Sequence, residues 1–401
     1  MKKFGKTILL LLLLVSVGSG GFILGHNMEG YPVGTASADW ETDQRIMKNL
    51  DMYRKAIQSD YLFSYKPEDL ETGIYKGLFW GLNDPYSEYY TPEEYQRLME
   101  DTSGKFAGVG LVITAGDDNL ITVVSPIANT PAARAGVKAG DKIIEVDGVT
   151  YTGQDLQEAT DQMRGEPQTP VDLTVQRVIQ GKTQTSHVRI IREMIKVDTV
   201  ISKLLPDNIG YLQLTSFDEE TAIDFEKAWK DLEKQGAKRF ILDLRNNPGG
   251  LLDTCEDIAD FLLGKATIVT TVDNKGHEEK SESDAKQFTE PLVVLANGGS
   301  ASASEILLGA LRDNKRAKSI GETTFGKGIV QQIYPLGEDG KDGGFKLTMA
   351  EYLTPNGEKI HGKGITPDIV VKAPEDAKGI GPDFLEEDPQ LKRAIEEVKG
   401  L

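Results

Sequence analysis

The stretch Gly298-Gly299-Ser300-Ala301-Ser302-Ala303-Ser304-Glu305 decides how this chain places its most informative residues. An apolar run at 291–296 leads into the stretch, and a segment with helical character at 306–312 leads out of it. A strand, a small-residue turn and a helix expose a short side chain at the carboxyl end of the strand. The first turn of such a helix also presents backbone N–H groups that have no partner within the helix.

The three serines of this turn allow two interpretations. Ser302 and Glu305 have the spacing of a capping box, and most serines at such a position only cap a helix. Alternatively, one of the serines is a nucleophile held beside an oxyanion pocket. The stretch alone favours the cap, so the choice depends on the rest of the chain.

The composition narrows the classes of function. With 63 acidic and 45 basic residues, the net charge of −18 opposes long-range attraction to nucleic acid, and we expect no nucleic-acid partner. The single cysteine, Cys255, excludes an intramolecular disulfide and a cysteine metal cluster. The four histidines show no ligand spacing, so we expect neither a metal nor a cofactor.

Residues 1–38 carry a targeting signature. Lys2, Lys3 and Lys6 precede a long uncharged apolar run, which places the N-terminus in the cytoplasm and the remainder outside. The Ala36-Ser-Ala38 sequence resembles a signal-peptidase site, so a cleaved and secreted form is the alternative. Because that site lies well beyond the apolar run, we predict an uncleaved membrane anchor. The protein is then a single-pass protein of the cell membrane with an extracytoplasmic catalytic part.

Residues 39–104 predict a helical arm. Apolar residues recur there at steps of three and four, as an amphipathic helix requires. The residues of the first apolar face are Ile46, Leu50, Tyr53, Ile57 and Tyr61. Nothing in the arm carries chemistry, so we interpret it as a packing or dimerisation arm, which leaves a homodimer open.

Residues 105–192 change to strand and turn patterns. The glycine-flanked segment Phe106-Ala107-Gly108-Val109-Gly110-Leu111 would present successive backbone N–H groups to a carboxylate. Such turns are common and usually have no ligand. The sequence from 125 to 148, however, closely resembles a bacterial PDZ domain. This resemblance implies a module that binds the C-terminus of a peptide as an added strand, with the segment from Phe106 to Leu111 as its carboxylate-binding loop.

Residues 193–372 alternate strand-like and helical segments, which is typical of a mostly parallel sheet with ligands at the carboxyl ends of its strands. Two glycine-rich turns, at 247–250 and 297–300, are expected at the same edge of that sheet. Their glycines either let the backbone approach a ligand or only satisfy a positive φ, and the pattern alone favours the second. Residues 373–401 predict a linker and a final helix.

Lys327 has an unusual setting in the strand-like segment 324–334. In an extended chain, alternate residues share a face. The residues on the same face as Lys327 are Phe325, Ile329, Gln331 and Ile333. A lysine on an edge strand that discourages pairing is the usual explanation. The other explanation is a buried general base, since apolar surroundings favour the neutral amine.

The motifs together closely resemble the C-terminal processing peptidases, also called tail-specific proteases. The matching stretches are 81–87, 243–250, 299–305, 324–331 and 364–368. The resemblance implies an α/β and β multi-domain protein. Its parts are a mostly parallel, crotonase-like protease core, an inserted PDZ domain and the helical arm.

The resemblance also implies the site residues by position. Ser302 becomes the nucleophile, Lys327 its base, and Gln331 the residue that orients the lysine. The backbone N–H groups of Ala303 and of Gly249, or its neighbour Gly250, become the oxyanion hole. The substrates implied are proteins with free C-terminal tails.

Three functions follow as hypotheses. The first is a Ser–Lys endopeptidase, because no histidine lies in a setting that suggests a Ser-His-Asp triad. The second is a catalytically silent PDZ scaffold at the membrane. The third is an acyl-CoA enzyme of crotonase type, which would share the sheet topology but not explain the PDZ domain. A reporter protein with a free tail distinguishes them by cleavage, by capture without cleavage, or by neither.

Overall fold

The computed structural model describes residues 40–179, 181–286, 288–374 and 377–401. The chain divides into two compact units, one formed by Gln96–Val330 with Met349–Leu401, the other by the described part of Gly20–Tyr95 with Gln331–Thr348. The described α-helices are α1 (Trp40–Asp60), α2 (Pro67–Trp80), α3 (Pro92–Ser103), α4 (Pro131–Arg134), α5 (Leu156–Met163), α6 (Thr221–Lys234), α7 (Leu252–Leu262), α8 (Ala303–Asp313) and α9 (Pro389–Lys399). Short 3₁₀ turns lie at Gly153–Asp155, Pro206–Asn208, Glu338–Gly340 and Pro382–Glu387.

The strands form several sheets. The strands are β1 (Glu88–Tyr90), β2 (Lys105–Gly108), β3 (Leu111–Ala115), β4 (Ile121–Pro126), β5 (Lys142–Val146), β6 (Val149–Thr150), β7 (Pro170–Ile179), β8 (Lys182–Ile191), β9 (Glu193–Lys196), β10 (Val200–Leu205), β11 (Ile209–Leu214), β12 (Arg239–Asp243), β13 (Thr267–Asp273), β14 (Glu278–Glu282), β15 (Leu292–Ala296), β16 (Lys318–Gly321), β17 (Ile329–Pro335), β18 (Gly344–Leu353) and β19 (Ile369–Val370).

One sheet of the first unit positions the candidate site. Its strand order is β10-β11-β12-β15-β16-β19. The β10–β11 pair is antiparallel, and the remaining four pairs are parallel. The carboxyl ends of β12 and β15 lie side by side, because Asp243 is in register with Leu295. The turns that follow these two strands therefore meet at one edge of the sheet.

Helices cover both faces of this sheet. Successive residues of a strand point to opposite faces. Phe240 and Leu242 of β12 accordingly join the apolar cluster of α6, α7 and α8, whereas Ile241 joins the cluster of α9. The ring of Trp229 in α6 stacks on Phe240 with 3.7 Å between centroids. Truncating such a buried aromatic side chain costs about 3–5 kcal/mol, so these two layers fix the position of β12.

A second core in the first unit is formed by residues 109–191. Its antiparallel sheet has the order β3-β4-β5-β7-β8, with β6 beside β5. Alternate residues of β7, Val171, Leu173 and Val175, face an apolar cluster that also includes α5. The antiparallel ribbon of β2 and β9 borders this core.

The second unit contains the described arm up to Tyr95, and residues 96–104 of the arm belong to the first unit. The rings of Tyr75 in α2 and Tyr89 in β1 lie 5.0 Å apart, which joins the helix to its strand. The apolar face predicted for the arm is present but is open to solvent, since Ile46, Tyr53 and Tyr61 are all exposed. None of the residues of α2 is buried.

The predicted localisation requires correction. None of the helices in the described residues is both long and apolar enough to cross a bilayer, which contradicts the predicted single-pass membrane protein. The anchor predicted within residues 1–38, together with its alternative cleavage site, lies outside the described residues.

The strand predicted over 324–334 begins later than expected, at Ile329. The residues before it are irregular, and Gly326 has a φ of 92° that an extended strand does not adopt. As a result Phe325, predicted to share a face with Lys327, is 53% exposed. Lys327 itself is buried, as the second of its two explanations requires, whereas the shared face predicted for Phe325 is wrong.

Candidate active site

Ser302 lies in a strained turn between β15 and α8. Its φ of 54° and ψ of −117° fall in a region that residues with a side chain rarely adopt. Such a conformation costs about 1–3 kcal/mol and persists only where the surroundings enforce it. The Ala301 N–H donates to the Asn247 carbonyl at 3.0 Å, and the Glu305 N–H donates to the Ser302 carbonyl at 2.8 Å. These bonds hold Ser302 at the start of α8, where it is 3% exposed.

The two neighbouring serines bond to the backbone of the loop after β12. Ser300 Oγ donates to the Leu244 carbonyl at 2.8 Å, and Ser304 Oγ donates to the Asn247 carbonyl at 3.0 Å. Both hydroxyls therefore fasten the Ser302 turn to that loop. A structural role accounts for these two serines, and Ser302 occupies the strained position between them.

Glu305 connects the Ser302 turn to the Lys327 segment. Its Oε2 accepts from the N–H of Ser302 at 3.0 Å and from the N–H of Lys327 at 2.8 Å. Its Oε1 accepts from the Thr324 hydroxyl at 2.5 Å and from the Gly326 N–H at 2.8 Å. Burial raises the pKa of Glu305, and these four hydrogen bonds oppose the rise. The sequence pattern predicted only a helix cap for Glu305, because three of its four partners lie 19 to 22 residues further along the chain.

Lys327 is 2% exposed, and its main chain is held on both sides. Its N–H bonds to Glu305, and its carbonyl accepts a hydrogen bond from the Tyr352 hydroxyl. The Tyr352 N–H also donates to the Gly328 carbonyl at 3.1 Å. Gln331, the predicted orienting residue, is buried within β17.

Gly249 and Gly250 form the part of the loop after β12 that lies closest to Ser302. A Cβ on Gly249 would lie 2.8 Å from the Cβ of Ser302, and a Cβ on Gly250 would lie 2.1 Å from the carbonyl oxygen of Phe217. The φ angles of the two glycines are 104° and 149°. Both explanations considered for these glycines therefore apply, because the close approach and the positive φ each exclude a side chain.

The backbone N–H groups around Ser302 differ in their partners. The Gly249 N–H donates to Asn247 Oδ1 at 2.9 Å. The N–H groups of Gly250 and Ala303 have no acceptor among the residues that the structure describes. The site thus offers two unengaged donors beside a serine, which is the requirement for holding an oxyanion.

A buried ion cluster fixes the start of the same loop. The Arg245 guanidinium lies 2.6 Å from an Asp243 oxygen and 2.8 Å from an Asp388 oxygen, and it donates to Gln390 Oε1 at 3.0 Å. The Tyr211 hydroxyl donates to Asp243 at 2.8 Å. Burial raises the pKa of Asp388, but the hydrogen bonds and charge of Arg245 outweigh it and leave that pKa lowered. Sequence reasoning assigned no role to this cluster, because Asp388 is 143 residues from Arg245.

A small apolar pocket lies beside Ser302. Its lining residues are Gly250, Leu252, Ser302, Ala303, Ile306, Ile329, Val330 and Tyr352. None of these side chains carries a charge, so the pocket suits an apolar side chain of a bound peptide.

Cys255 of α7 lies behind Ala303. Its Sγ is 3.1 Å from the Ala303 carbonyl oxygen. Burial raises the pKa of the Cys255 thiol well above its usual value. A thiol in that state is a packing group and not a nucleophile.

The six residues predicted to bind a peptide carboxylate are divided between two strands and a turn. Residues 106–108 belong to β2, Val109 and Gly110 form the turn, and Leu111 begins β3. The carbonyls of Val109 and Gly110 accept hydrogen bonds from the 127–132 segment at 2.9 and 3.0 Å. Since C=O and the following N–H point in opposite directions, the N–H groups of Gly110 and Leu111 point away from that segment. Their role in binding a carboxylate stays a prediction.

Comparison with known proteins gives the class of this chain. The pattern that defines Peptidase family S41 matches residues 208–371, and that of the PDZ domain matches residues 122–177. A strained serine at a helix start with two adjoining N–H donors, in a chain that matches this family, defines a serine-type peptidase.

Individual relatives support the same assignment. The carboxy-terminal-processing protease of Bartonella bacilliformis is 42% identical over 369 residues, which are 90% of this chain and 83% of that protein. The carboxy-terminal processing protease CtpA of Bacillus subtilis is 38% identical over 383 residues, which are 94% of this chain and 79% of the relative. The solved structure of a candidate S41 protease from Bacteroides fragilis is similar in fold, with a TM-score of 0.53 and 15% identity over 85% of this chain and 91% of that one.

This chain therefore belongs to Peptidase family S41, among the carboxy-terminal processing proteases, and it carries a PDZ domain. The resemblance to this family stated from the sequence is confirmed.

Proposed function

We propose that this chain is a serine endopeptidase in which Ser302 is the nucleophile and Lys327 the general base. The observation that carries the proposal is the Glu305 carboxylate, which bonds the backbone N–H groups of both residues and so keeps their segments together. Burial of Lys327 favours the neutral amine, the form that can accept a proton. We assign Gln331 to orient the lysine, on the strength of the resemblance to the family.

The reaction proceeds in two stages. Lys327 Nζ takes the proton of Ser302 Oγ as Oγ attacks the carbonyl carbon of the scissile peptide bond. The resulting oxyanion accepts hydrogen bonds from the N–H of Ala303 and from that of Gly249 or Gly250. The C–N bond then breaks, and the lysine ammonium gives its proton to the leaving amine. Water hydrolyses the acyl-enzyme with Lys327 again as base, which regenerates Ser302.

The PDZ domain supplies the substrates in this proposal. It captures free, unstructured C-terminal tails, with Phe106, Ala107, Gly108, Val109, Gly110 and Leu111 as its carboxylate-binding segment. Two observations support this: the N–H directions at the Val109–Gly110 turn and the names of the relatives, which are carboxy-terminal processing proteases. Hydrogen bonds from N–H groups to a carboxylate are charge-assisted and therefore strong for their number.

We also propose how the chain is divided into domains, how it assembles and whether it is exported. The parallel strand pairs of the core support a crotonase-like topology. We retain the division into a helical arm (39–104), a PDZ domain (105–192), a protease core (193–372) and a C-terminal segment (373–401). The exposed apolar residues of the arm support a homodimer. Export of the protease rests on the lysine-flanked apolar run alone.

A reporter protein with a free C-terminal tail tests the proposal. We expect the wild-type chain to shorten or degrade the reporter and Ser302→Ala to leave it intact. Ser300→Ala and Ser304→Ala are matched controls that should keep at least part of the activity, because their hydroxyls bond to main-chain carbonyls. Equal cleavage by Ser302→Ala and wild type would refute the nucleophile. Capture of the reporter by wild type without cleavage would favour a PDZ scaffold. If wild type neither captures nor cleaves the reporter, the crotonase-type enzyme is the remaining hypothesis.

A further inference from the structure

We propose that Asn247 is a positioning residue for the oxyanion pocket. Its side chain accepts a hydrogen bond from the N–H of Gly249. The N–H groups of Gly250 and Ala303 are then the two donors that bind the oxyanion. The inference rests on the proposed peptidase activity and concerns how the pocket is built.

Every polar group of Asn247 is engaged inside the core. Oδ1 accepts from the Gly249 N–H at 2.9 Å, and Nδ2 donates to the Leu214 carbonyl at 2.9 Å. The main-chain N–H donates to the Leu244 carbonyl at 3.2 Å, and the carbonyl accepts from Ala301 at 3.0 Å. Reversing the amide would set a donor against a donor and an acceptor against an acceptor. The side chain is fully buried, so its orientation is fixed by these partners.

The Gly249 carbonyl fixes the direction of the next N–H. It accepts from the Phe217 N–H at 3.1 Å and from Ser216 Oγ at 3.2 Å. No peptide bond of the described chain is cis, and in a trans peptide C=O and N–H point in opposite directions. The Gly250 N–H therefore points away from Phe217. Gly250 and Ala303 both line the pocket beside Ser302.

The position of this loop directly affects the nucleophile. A Cβ on Gly249 would be 2.8 Å from the Cβ of Ser302 and 3.1 Å from the Ala303 nitrogen, so the loop is in contact with both. Without the Asn247 acceptor, the Gly249 N–H loses its partner and the peptide before Gly249 can rotate. A rotation there carries the Gly250 N–H out of line with that of Ala303. Loss of one oxyanion donor lowers kcat by about 10²–10³-fold.

The experiment compares Asn247→Ala with Ser304→Ala in the full chain. Ser304 donates to the main-chain carbonyl of Asn247, so its variant removes a buried hydrogen bond of the same residue without touching the side-chain acceptor. The measurements are kcat and KM on a tailed reporter and the affinity for a peptide boronic acid, whose tetrahedral adduct places an oxygen in the oxyanion pocket. For Asn247→Ala we expect kcat and boronate affinity to fall together by about 10²-fold with KM little changed. For Ser304→Ala we expect a much smaller loss of both, because the side-chain acceptor of the Gly249 N–H is kept.

A second variant keeps the test decisive if Asn247→Ala does not fold. In Asn247→Asp, a protonated carboxyl can donate to the Leu214 carbonyl and accept from Gly249, whereas the ionised form has no donor for Leu214. We therefore expect its kcat, divided by that of wild type at the same pH, to fall as pH rises. The ratio cancels the pH dependence of the dyad.

The outcomes separate the inference from the proposed function. A folded Asn247→Ala that keeps wild-type kcat and boronate affinity would overturn the positioning role, as would an Asp variant that loses activity while boronate affinity is unchanged. Failure of the proposed function has another signature: wild type would show no activity that depends on Ser302, so the Asn247 comparison would have no active reference.

Discussion

Exchanging Glu305 for glutamine tests the connection between the two halves of the proposed dyad. Glu305→Gln keeps the shape but removes the charge that four donors share. A hydrogen bond to a charged group contributes about 1.5–3 kcal/mol and one between neutral groups about 0.5–1.5 kcal/mol. The two bonds that stay with the amide oxygen each weaken by about 1 kcal/mol. The two donors that then face the NH2 group lose their acceptor, at about 1 kcal/mol each, so the loss is about 4 kcal/mol. Relief of carboxylate desolvation offsets part of this, which leaves a net loss of about 2 kcal/mol in the free energy of unfolding.

The effect on catalysis should exceed the effect on stability. Because Glu305 bonds the main chain of both Ser302 and Lys327, its exchange changes their separation, and a displacement near 1 Å costs about 10²-fold in rate. Urea unfolding measures the free energy of unfolding, and single-turnover cleavage of a tailed reporter measures the rate. Glu256→Gln is the matched control, since Glu256 is a partly buried carboxylate of α7 whose pKa is raised by burial. Glu256→Gln should not lower the free energy of unfolding and should leave the cleavage rate unchanged. Wild-type stability and rate in Glu305→Gln would refute the reasoning.

Further predictions address the base, the PDZ domain and the loop. Lys327→Arg should fold and bind tails without cleaving them, because a guanidinium does not release its proton in the working range. Turnover of the wild type should rise with pH. If the Arg variant turns over substrate at a rate near that of wild type, the dyad is contradicted. Amidating the C-terminus of a tail peptide should weaken its binding, and calorimetry that gives equal affinities would count against a carboxylate-reading domain. The lowered pKa of Asp388 contributes stability above its ordinary value of 3.8, and this contribution is lost as pH falls through the folded-state pKa. Asp388→Asn should therefore cost about 3 kcal/mol at neutral pH by leaving buried Arg245 with one carboxylate fewer, and its stability should fall less on acidification than that of wild type; parallel acid-unfolding curves would refute this. Gly250→Ala should unfold at lower urea than wild type, because its Cβ would meet the Phe217 carbonyl oxygen at 2.1 Å; an unchanged midpoint would show that the loop can yield.

The elements that the sequence predicted correctly are those whose signal lies within one segment of the chain. The segment with helical character at 306–312 lies within α8, and the final helix predicted within residues 373–401 is α9. Apolar residues at helical spacing report the face that packs on the sheet, and this information is complete within one segment. The turns at 247–250 and 297–300 were also placed correctly at one sheet edge, because parallel strands end on the same side.

The residues that sequence reasoning missed have partners far along the chain. Glu305 was recognised as a cap, but its bond to Lys327 spans 22 residues. Asn247 was recognised only as part of a turn, although its amide reaches Leu214, 33 residues away. The extended form expected at Phe325 failed for the same reason, because main-chain bonds to Glu305 and Ser300 hold the segment in an irregular path. Such contacts follow from the tertiary fold and leave no periodic signal.

The sole cysteine of the chain gives the site an intrinsic reporter. The Cys255 thiol lies against the Ala303 carbonyl within the core, so an alkylating reagent reaches it only when α7 separates from α8. Pulsed labelling read by mass spectrometry would therefore time how often the packing behind the nucleophile opens, with no probe introduced. A thiol reagent should also inactivate the protein slowly, at that opening rate, so inhibition by such a reagent would report local unfolding and not a cysteine mechanism.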